Sequence, residues 1–485
     1  MILSNGLKKL IIGLGLPLIM ALTGCAVGPD YEPPVTQLPE SFAYTKLPEF
    51  SGSGVDAKWW GLFDDNMLIG LVDQVVQHNY SLKIAEANLQ EARALYLEAG
   101  LNLLPTITSH ANYTEQKRSI GSLNNRSFVP RELKLFNIGF DASWEADIFG
   151  RVRRSVEVSE NTAAAQEASL RDVGVSLIAE TARNYFELRG LQNELEVAHK
   201  NGENLRETLA ITQTKLDLGR GTELDTTRAK ALLDATLAGV PALESAISQS
   251  VHRLSVLTGQ VPSALNEQLL KPKPLPKLPD TIHIGNPAEL LRRRADIRIV
   301  ERNLAAATAQ IGVAVGDLFP RVSFVGTIAL EAGTFTGIGA AGSDTYSLGP
   351  RITWAAFDLG RVYARIKAAH ANADANLAQY QETVLTALEE TENSLVIYNR
   401  ERARRDLLVS ALQASERAHQ LAYLRYDEGV SDFLTVLDAE SRLLQNRSQL
   451  AQSQTATATA LAALFKALGG GWETVLDSAE ANKKG

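Results

Sequence analysis

The chain repeats itself at long range. Residues 426–440, "YDEGVSDFLTVLDAE", echo residues 216–230, "LDLGRGTELDTTRAK", so that Asp217, Gly219, Leu224 and Ala229 fall on Asp427, Gly429, Leu434 and Ala439, 210 positions later. The same offset carries "WEADIFGRV" (144–152) onto "WAAFDLGRV" (354–362), Glu180 and Thr181 onto Glu390 and Thr391, and Leu254 and Gly259 onto Leu464 and Gly469. Upstream the offset is 215: "LNLLP" (101–105) meets "GDLFP" (316–320), and "NYSLKIAEANL" (79–89) meets "RADIRIVERNL" (294–304). One loop between the proline and the tryptophan therefore differs in length. A period this long is a duplicated domain, not a solenoid. The chain reads as a first copy at 66–259 and a second at 286–469, joined by a Pro-rich linker (260–285). A Pro-rich segment (25–65) precedes them and a polar tail (470–485) follows.

Each copy has three kinds of segment. Residues 153–218 contain no proline, and about 65 residues at about 1.5 Å each make a helix near 100 Å long. In the second copy Leu377, Tyr380, Val384, Leu388, Thr391, Leu395 and Tyr398 recur at the coiled-coil period. Gly219–Gly221 and Gly429 break these helices, and Thr222 or Ser431/Asp432 can cap the returning ones, giving helical-hairpin tips at 219–222 and 429–432. The first returning helix is expected to run from Thr222 to Thr258. Ahead of each long helix the period changes to two. Phe136, Ile138, Phe140, Ala142, Trp144 and Ala146 alternate with Asn137, Gly139, Asp141, Ser143 and Glu145. Leu348, Ile352, Trp354 and Ala356 alternate with Ser347, Arg351 and Thr353. With partner strands after Pro105 and Pro320, these predict β-hairpins at 106–146 and 321–356, the second with a Gly-rich outer loop at 331–345.

Two readings of the hairpins remain open: tilted membrane strands, or soluble hairpins with one wet face. If they are membrane strands, four per chain cannot close a barrel, and open edges are not viable in lipid. Three chains would supply twelve strands and a water-filled lumen if the polar face turns inward.

Residues 1–24 read as a signal peptide, with Lys8 and Lys9 before the apolar run "LIIGLGLPLIMAL" (10–22). "LTGCA" (22–26) is similar to a bacterial lipobox, which would make Cys25, the only cysteine, the lipid-bearing residue. A lone cysteine excludes an internal disulfide or a Cys-based zinc site. The net charge of −8, or −10 without the leader, excludes a basic nucleic-acid surface. The seven histidines (78, 110, 199, 252, 283, 370 and 419) show no metal-ligand spacing, and no phosphate-binding loop or nucleophile elbow is present. Glu389–Glu390 reads as tunnel lining or helix surface rather than an acid/base pair, and the arginines of "LRRRADIR" (291–298) as a solvated helix start rather than an anion site. The chain reads as a non-enzyme without cofactors.

"CAVGPDYEPP" (25–34), the two "GRV" openings of long helices, the tip at 426–440 and "ALGGGW" (467–472) resemble the TolC family of outer-membrane efflux factors, in its OprM-like, RND-associated lipoprotein branch. The resemblance implies a fold class combining a membrane β-barrel with a long α-helical barrel. Four strands per chain complete a twelve-strand barrel in a homotrimer, continued by a coiled-coil periplasmic tunnel. It implies an outer-membrane location and an exit-duct function, with a periplasmic adaptor and an inner-membrane RND-type transporter as partners. Conduction of drugs or other small toxic compounds is then expected. A duct for type I protein secretion and a lipid-anchored coiled coil without a pore are the alternatives. By the same resemblance Leu434, Asp438, Asp225 and Tyr426 form the periplasmic gate, with Tyr426 tied to Asp225. Gly219, Gly221, Thr222, Gly429, Val430 and Ser431 are the adaptor-contacting tips. TolC has an arginine at the position of Ser431 and an aspartate at that of Thr435, so its arginine–aspartate latch does not carry over. Three copies of Asp438 around an axis would favour cations.

Overall fold

The computed structural model describes residues 26–36, 38–43, 50–119, 121 and 130–473. In chain order the elements are β1 (Phe50–Ser51), α1 (Asn66–His78), α2 (Tyr80–Leu101), β2 (Thr106–Lys117), β3 (Glu132–Ala146), α3 (Arg151–Asp217), α4 (Glu223–Ala238) and α5 (Val240–Leu257). After the linker come β4 (Ile282–His283), α6 (Pro287–Arg293), α7 (Ala295–Gly316), β5 (Arg321–Ala332), β6 (Asp344–Thr353), α8 (Leu359–Asp427) and α9 (Phe433–Ala467). The long helices α3 and α8 have 67 and 69 residues. Packing divides the chain into two compact units, each drawn from both halves of the sequence.

The first unit comprises Leu89–Gln166 and Ile299–Gln381 with the described residues up to Val35. Its centre is an antiparallel sheet in the order β2-β3-β5-β6. The register puts Ile107 opposite Ala142, Phe140 opposite Ile328, Trp144 opposite Phe324, and Gly326 opposite Leu348. Side chains alternate across a sheet, so these pairs share one face. That face is apolar and open, with Tyr346 and Leu348 82% and 80% exposed. The opposite face carries His110, Asn137, Asp141, Thr327 and Glu331, joined by side-chain hydrogen bonds such as Thr327 to Asp141 (2.7 Å) and Asn137 to Glu331 (2.9 Å).

The second alternating run ends sooner than its sequence predicts. β6 stops at Thr353, and Trp354 and Ala356 lie beyond it. The Trp354 indole donates to the Leu318 carbonyl at 2.9 Å, and Trp144 donates to Leu103 at the same distance. Each tryptophan thus ties the end of a hairpin to the chain just before that hairpin. An apolar ring with one polar atom suits the membrane–water boundary.

The second unit comprises Thr36–Asn88, Glu167–Arg298 and the described part of Glu382–Gly485. Trp59 is fully buried and stacks on Phe465 at 4.9 Å, while Phe63 packs on Phe186 at 4.7 Å. Val384, Thr391, Leu395 and Tyr398 are buried along one stripe of α8, as the heptad spacing requires, but between them Ala387 is buried and the expected Leu388 only half-buried. The first returning helix departs from expectation, because α4 ends at Ala238 and α5 begins at Val240. Pro241 in the first turn of α5 lacks the N–H that a continuous helix needs.

The duplication also reads out in hydrogen bonds. Asn79 Nδ2 donates to the Leu257 carbonyl at 2.8 Å, and Arg294 Nη1 donates to the Ala467 carbonyl at 3.0 Å. Positions 79 and 294 match, as do 257 and 467. The longer arginine also reaches Asp296 (2.6 Å) and Glu390 (2.7 Å), so this part of the Arg-rich run is a buried ion-pair anchor, not helix surface.

Candidate functional site

The repeated turns close the two helical hairpins of the second unit. Gly219 and Gly429 sit at φ +67° and +71°, where a side chain would be strained. Each donates back into the last helical turn, Gly219 to Leu216 (2.9 Å) and Gly429 to Tyr426 (3.1 Å). The next residue donates one step further back, Arg220 to Lys215 and Val430 to Arg425, both at 2.8 Å. This is the glycine-terminated helix end, built identically in both copies. Thr222 caps α4, and Asp432 rather than Ser431 caps α9. The Asp432 carboxylate accepts from the Thr435 backbone N–H (3.1 Å) and hydroxyl (2.8 Å), which holds its pKa below the usual range. Thr435 therefore serves a cap where TolC would carry an acid. Ser431 Oγ has no hydrogen-bond partner among the described residues. Gly221 follows the turn, and Val430 projects exposed from the second tip.

Behind the turns lies a small apolar core. Ala229, Ala422, Phe433 and Val436 are buried together, with Leu209 and Tyr426 packed against them. Helices α3, α4, α8 and α9 all contribute, so this core holds the hairpin of one copy against that of the other. Tyr426 lies 5.6 Å from Phe433, and Lys215 Nζ sits 3.8 Å from the centre of the tyrosine ring.

The expected hydrogen bond from Tyr426 to Asp225 is not formed. Asp225 Oδ2 instead accepts from the Thr222 hydroxyl (2.7 Å) and backbone (3.3 Å), completing a capping box. The first acidic position of a helix has four unpaired N–H groups within reach, and that local demand takes the carboxylate. Tyr426 still senses it: burial first, and then the Asp225 charge, raise its pKa. Tyr426 instead meets the other hairpin through the Lys215 cation–π contact, worth about 0.5–2 kcal/mol. No pattern in the sequence pairs these two residues, which are brought together only by packing.

On α9 an exposed stripe runs through Leu434, Asp438, Ser441 and Arg442. Asp438 Oδ2 lies 3.1 Å from Arg442 Nε. Between Asp438 and Arg442, on the inner side of the helix, Glu440 is buried and accepts from Thr208 at 3.3 Å. Burial raises its pKa. The folded protein therefore holds this proton more tightly than the unfolded chain does. Stability is full where both states are protonated, below about pH 4.3, and falls as pH climbs through the raised value. Glu440→Gln is expected to raise the thermal midpoint of the detergent-solubilised protein at pH 7.5 and to leave it unchanged at pH 4. An equal shift at both values would mean that burial of the charge is not the cause.

The amino-terminal strand of chain is tied to the first unit. Val27 N donates to the Phe149 carbonyl at 3.0 Å, and Arg154 bonds the Val27 carbonyl (3.2 Å) and the Asp30 carboxylate (2.6 Å). Cys25 lies outside the described residues, two positions before Val27 in the sequence.

Known proteins share this architecture. A family model for outer membrane efflux proteins matches residues 71–260 and again 286–470. The solvent efflux pump outer membrane protein SrpC of Pseudomonas putida is 31% identical over 94% of this chain and 97% of its own length. Nodulation protein T of Rhizobium leguminosarum bv. trifolii is 30% identical over 94% and 96%. The solved structure of the outer-membrane channel OprN is 41% identical, covers 93% of this chain and all of its own, and superposes with a TM-score of 0.87. With a sheet apolar on one face, two glycine-closed hairpins and a family match across both halves, the chain belongs to the outer membrane efflux protein family and is an outer-membrane efflux channel protein.

Proposed function

We propose that the chain is the exit duct of a tripartite pump, passively passing drugs or other small toxic compounds from an inner-membrane RND-type transporter and a periplasmic adaptor to the exterior, with no catalysis of its own. The observation that carries this is the sheet. Its apolar face from Phe136 to Ala146 spans about 34 Å of strand, or about 26 Å at a tilt of about 40°, which matches the apolar band of outer-membrane barrels. Among the described residues β2 and β6 have no partner on their outer edges. Lipid does not tolerate open edges, so three copies close a twelve-strand barrel with His110, Asp141 and Glu331 facing the lumen. The stretch Glu223–Leu257 is largely exposed yet apolar enough to cross a membrane, and a neighbouring protomer would cover it.

The helical hairpins form the periplasmic mouth. Leu434 and Asp438 line the constriction, Asp225 and Tyr426 hold its shape, and the tips at Gly219, Gly221, Thr222, Gly429, Val430 and Ser431 receive the adaptor. Exposed Leu218, Leu224 and Val430 give that contact an apolar component. A lipid on Cys25 would enter the inner leaflet, since Val27 is fixed beside the end of β3.

Purified protein in a planar bilayer should conduct as a cross-linkable trimer with small, rare openings. Folded protein that never conducts would leave the lipid-anchored coiled coil as the reading. Deleting the gene should sensitise cells to small apolar toxicants; loss of a secreted protein from the medium instead would assign the duct to type I secretion.

A further inference from the structure

The exposed stripe on α9 carries a charge pattern that the constriction aspartate alone does not predict. Asp438 and Arg442 are one helical turn apart, their side chains 63% and 72% exposed, and Oδ2 lies 3.1 Å from Nε. Both therefore project from the same face as Leu434. The duplication adds a second fact: 210 positions before Asp438 stands Arg228, so the first hairpin offers no matching carboxylate. Leu434 does have a counterpart, Leu224, and it is exposed as well. The apolar position is duplicated and the acidic one is not.

Taking the proposed constriction at Leu434 and Asp438 as given, we infer that Arg442 is a selectivity-determining residue that neutralises the Asp438 ring, so that the mouth passes anions and cations with little preference. An unpaired ring of three carboxylates acts on a passing ion as a monopole, with energy falling as the inverse of distance. Three carboxylate–guanidinium pairs act as dipoles, whose field falls faster and is screened within a Debye length of about 8 Å. A duct that gains nothing from rejecting anions or zwitterions can keep its closing aspartate and still carry molecules of either charge. As a stabilising contact the pair is weak, since exposed i,i+4 pairs contribute about 0.3–0.5 kcal/mol. Its effect is on the field in the mouth.

The test is the cation-to-anion permeability ratio of the purified full-length trimer in planar bilayers under a KCl gradient, for wild type, Arg442→Gln, Arg442→Lys and Asp438→Asn. Both residues are exposed, so folding should be retained, which thermal unfolding verifies. Wild type is expected near unity. Arg442→Gln should raise the ratio about tenfold, as a cleft lined by one sign of charge does. Arg442→Lys should restore it, and Asp438→Asn should bring it below unity. If Asp438→Asn moves the ratio and Arg442→Gln does not, the neutralising role is wrong while the constriction at Asp438 stands. If neither variant moves it, the constriction assignment itself fails and the inference with it.

Discussion

Arginine in place of Leu348 is expected to prevent assembly of the protein in the outer membrane, whereas arginine in place of the adjacent Ser347 is expected to be accepted. Leu348 lies mid-strand on the apolar face, in register with Gly326, and is 80% exposed. Ser347 is also exposed but points to the polar face, opposite Thr327. A guanidinium on the lipid face near the bilayer midplane costs about 2–4 kcal/mol, and the proposed trimer would carry the cost three times. On the lumen side the same group stays in water. The measurement is heat-stable trimer recovered from outer-membrane fractions. Similar yields for the two variants would mean that the apolar face does not contact lipid, and the sheet would be a soluble structure with one wet face.

The second large effect is expected at Phe433. This ring is buried in the core that joins the hairpins of the two copies, and it packs against Tyr426. Truncation to alanine at such a site costs about 3–5 kcal/mol. The caps made by Thr222 and Asp432 are local and should survive, so the helices persist while their mutual packing weakens. With the hairpin tips as the proposed gate, Phe433→Ala should therefore show larger and more frequent openings in planar bilayers, and cells carrying it should admit bulky antibiotics that such a gate would exclude. Lys215→Ala removes only the contact to the Tyr426 ring and should produce the same change to a smaller degree. A Phe433→Ala protein with unchanged conductance would show that the mouth is not held by this core.

The Lys215 and Asp225 results bear on how latches of this type vary. A phenol and a carboxylate in the right sequence positions do not guarantee a hydrogen bond between them. The carboxylate answers first to the N–H groups at the start of its own helix, and the phenol takes the cation that the neighbouring hairpin presents. In this chain Asp225 serves its helix cap, and Lys215 makes the contact across hairpins.

Much of this was legible in the sequence because it depends on local geometry. The long helices follow from proline-free runs, and the tips follow from glycines, which adopt positive φ without strain. The strands follow from a two-residue alternation, and the duplication follows from matched positions. In each case the residue types act over one or two turns of chain. Arg442 was also within reach, four residues after Asp438 on one helix face. The break at Gly239 was hidden by an otherwise helical run, with Pro241 just inside the second helix. The second strand was carried too far, through Trp354, because alternation continues past the point where hydrogen bonds to β5 cease. The cap made by Asp432, one of the two candidates, and the capture of Asp225 by Thr222 each act over three residues, whereas the surface reading of Arg294 and the partner of Tyr426 turned on what lay nearest in space. Only tertiary structure decided the last two, because Lys215 and Tyr426, and Arg294 and Ala467, lie far apart in the chain and become neighbours only when the helices of the two copies pack together.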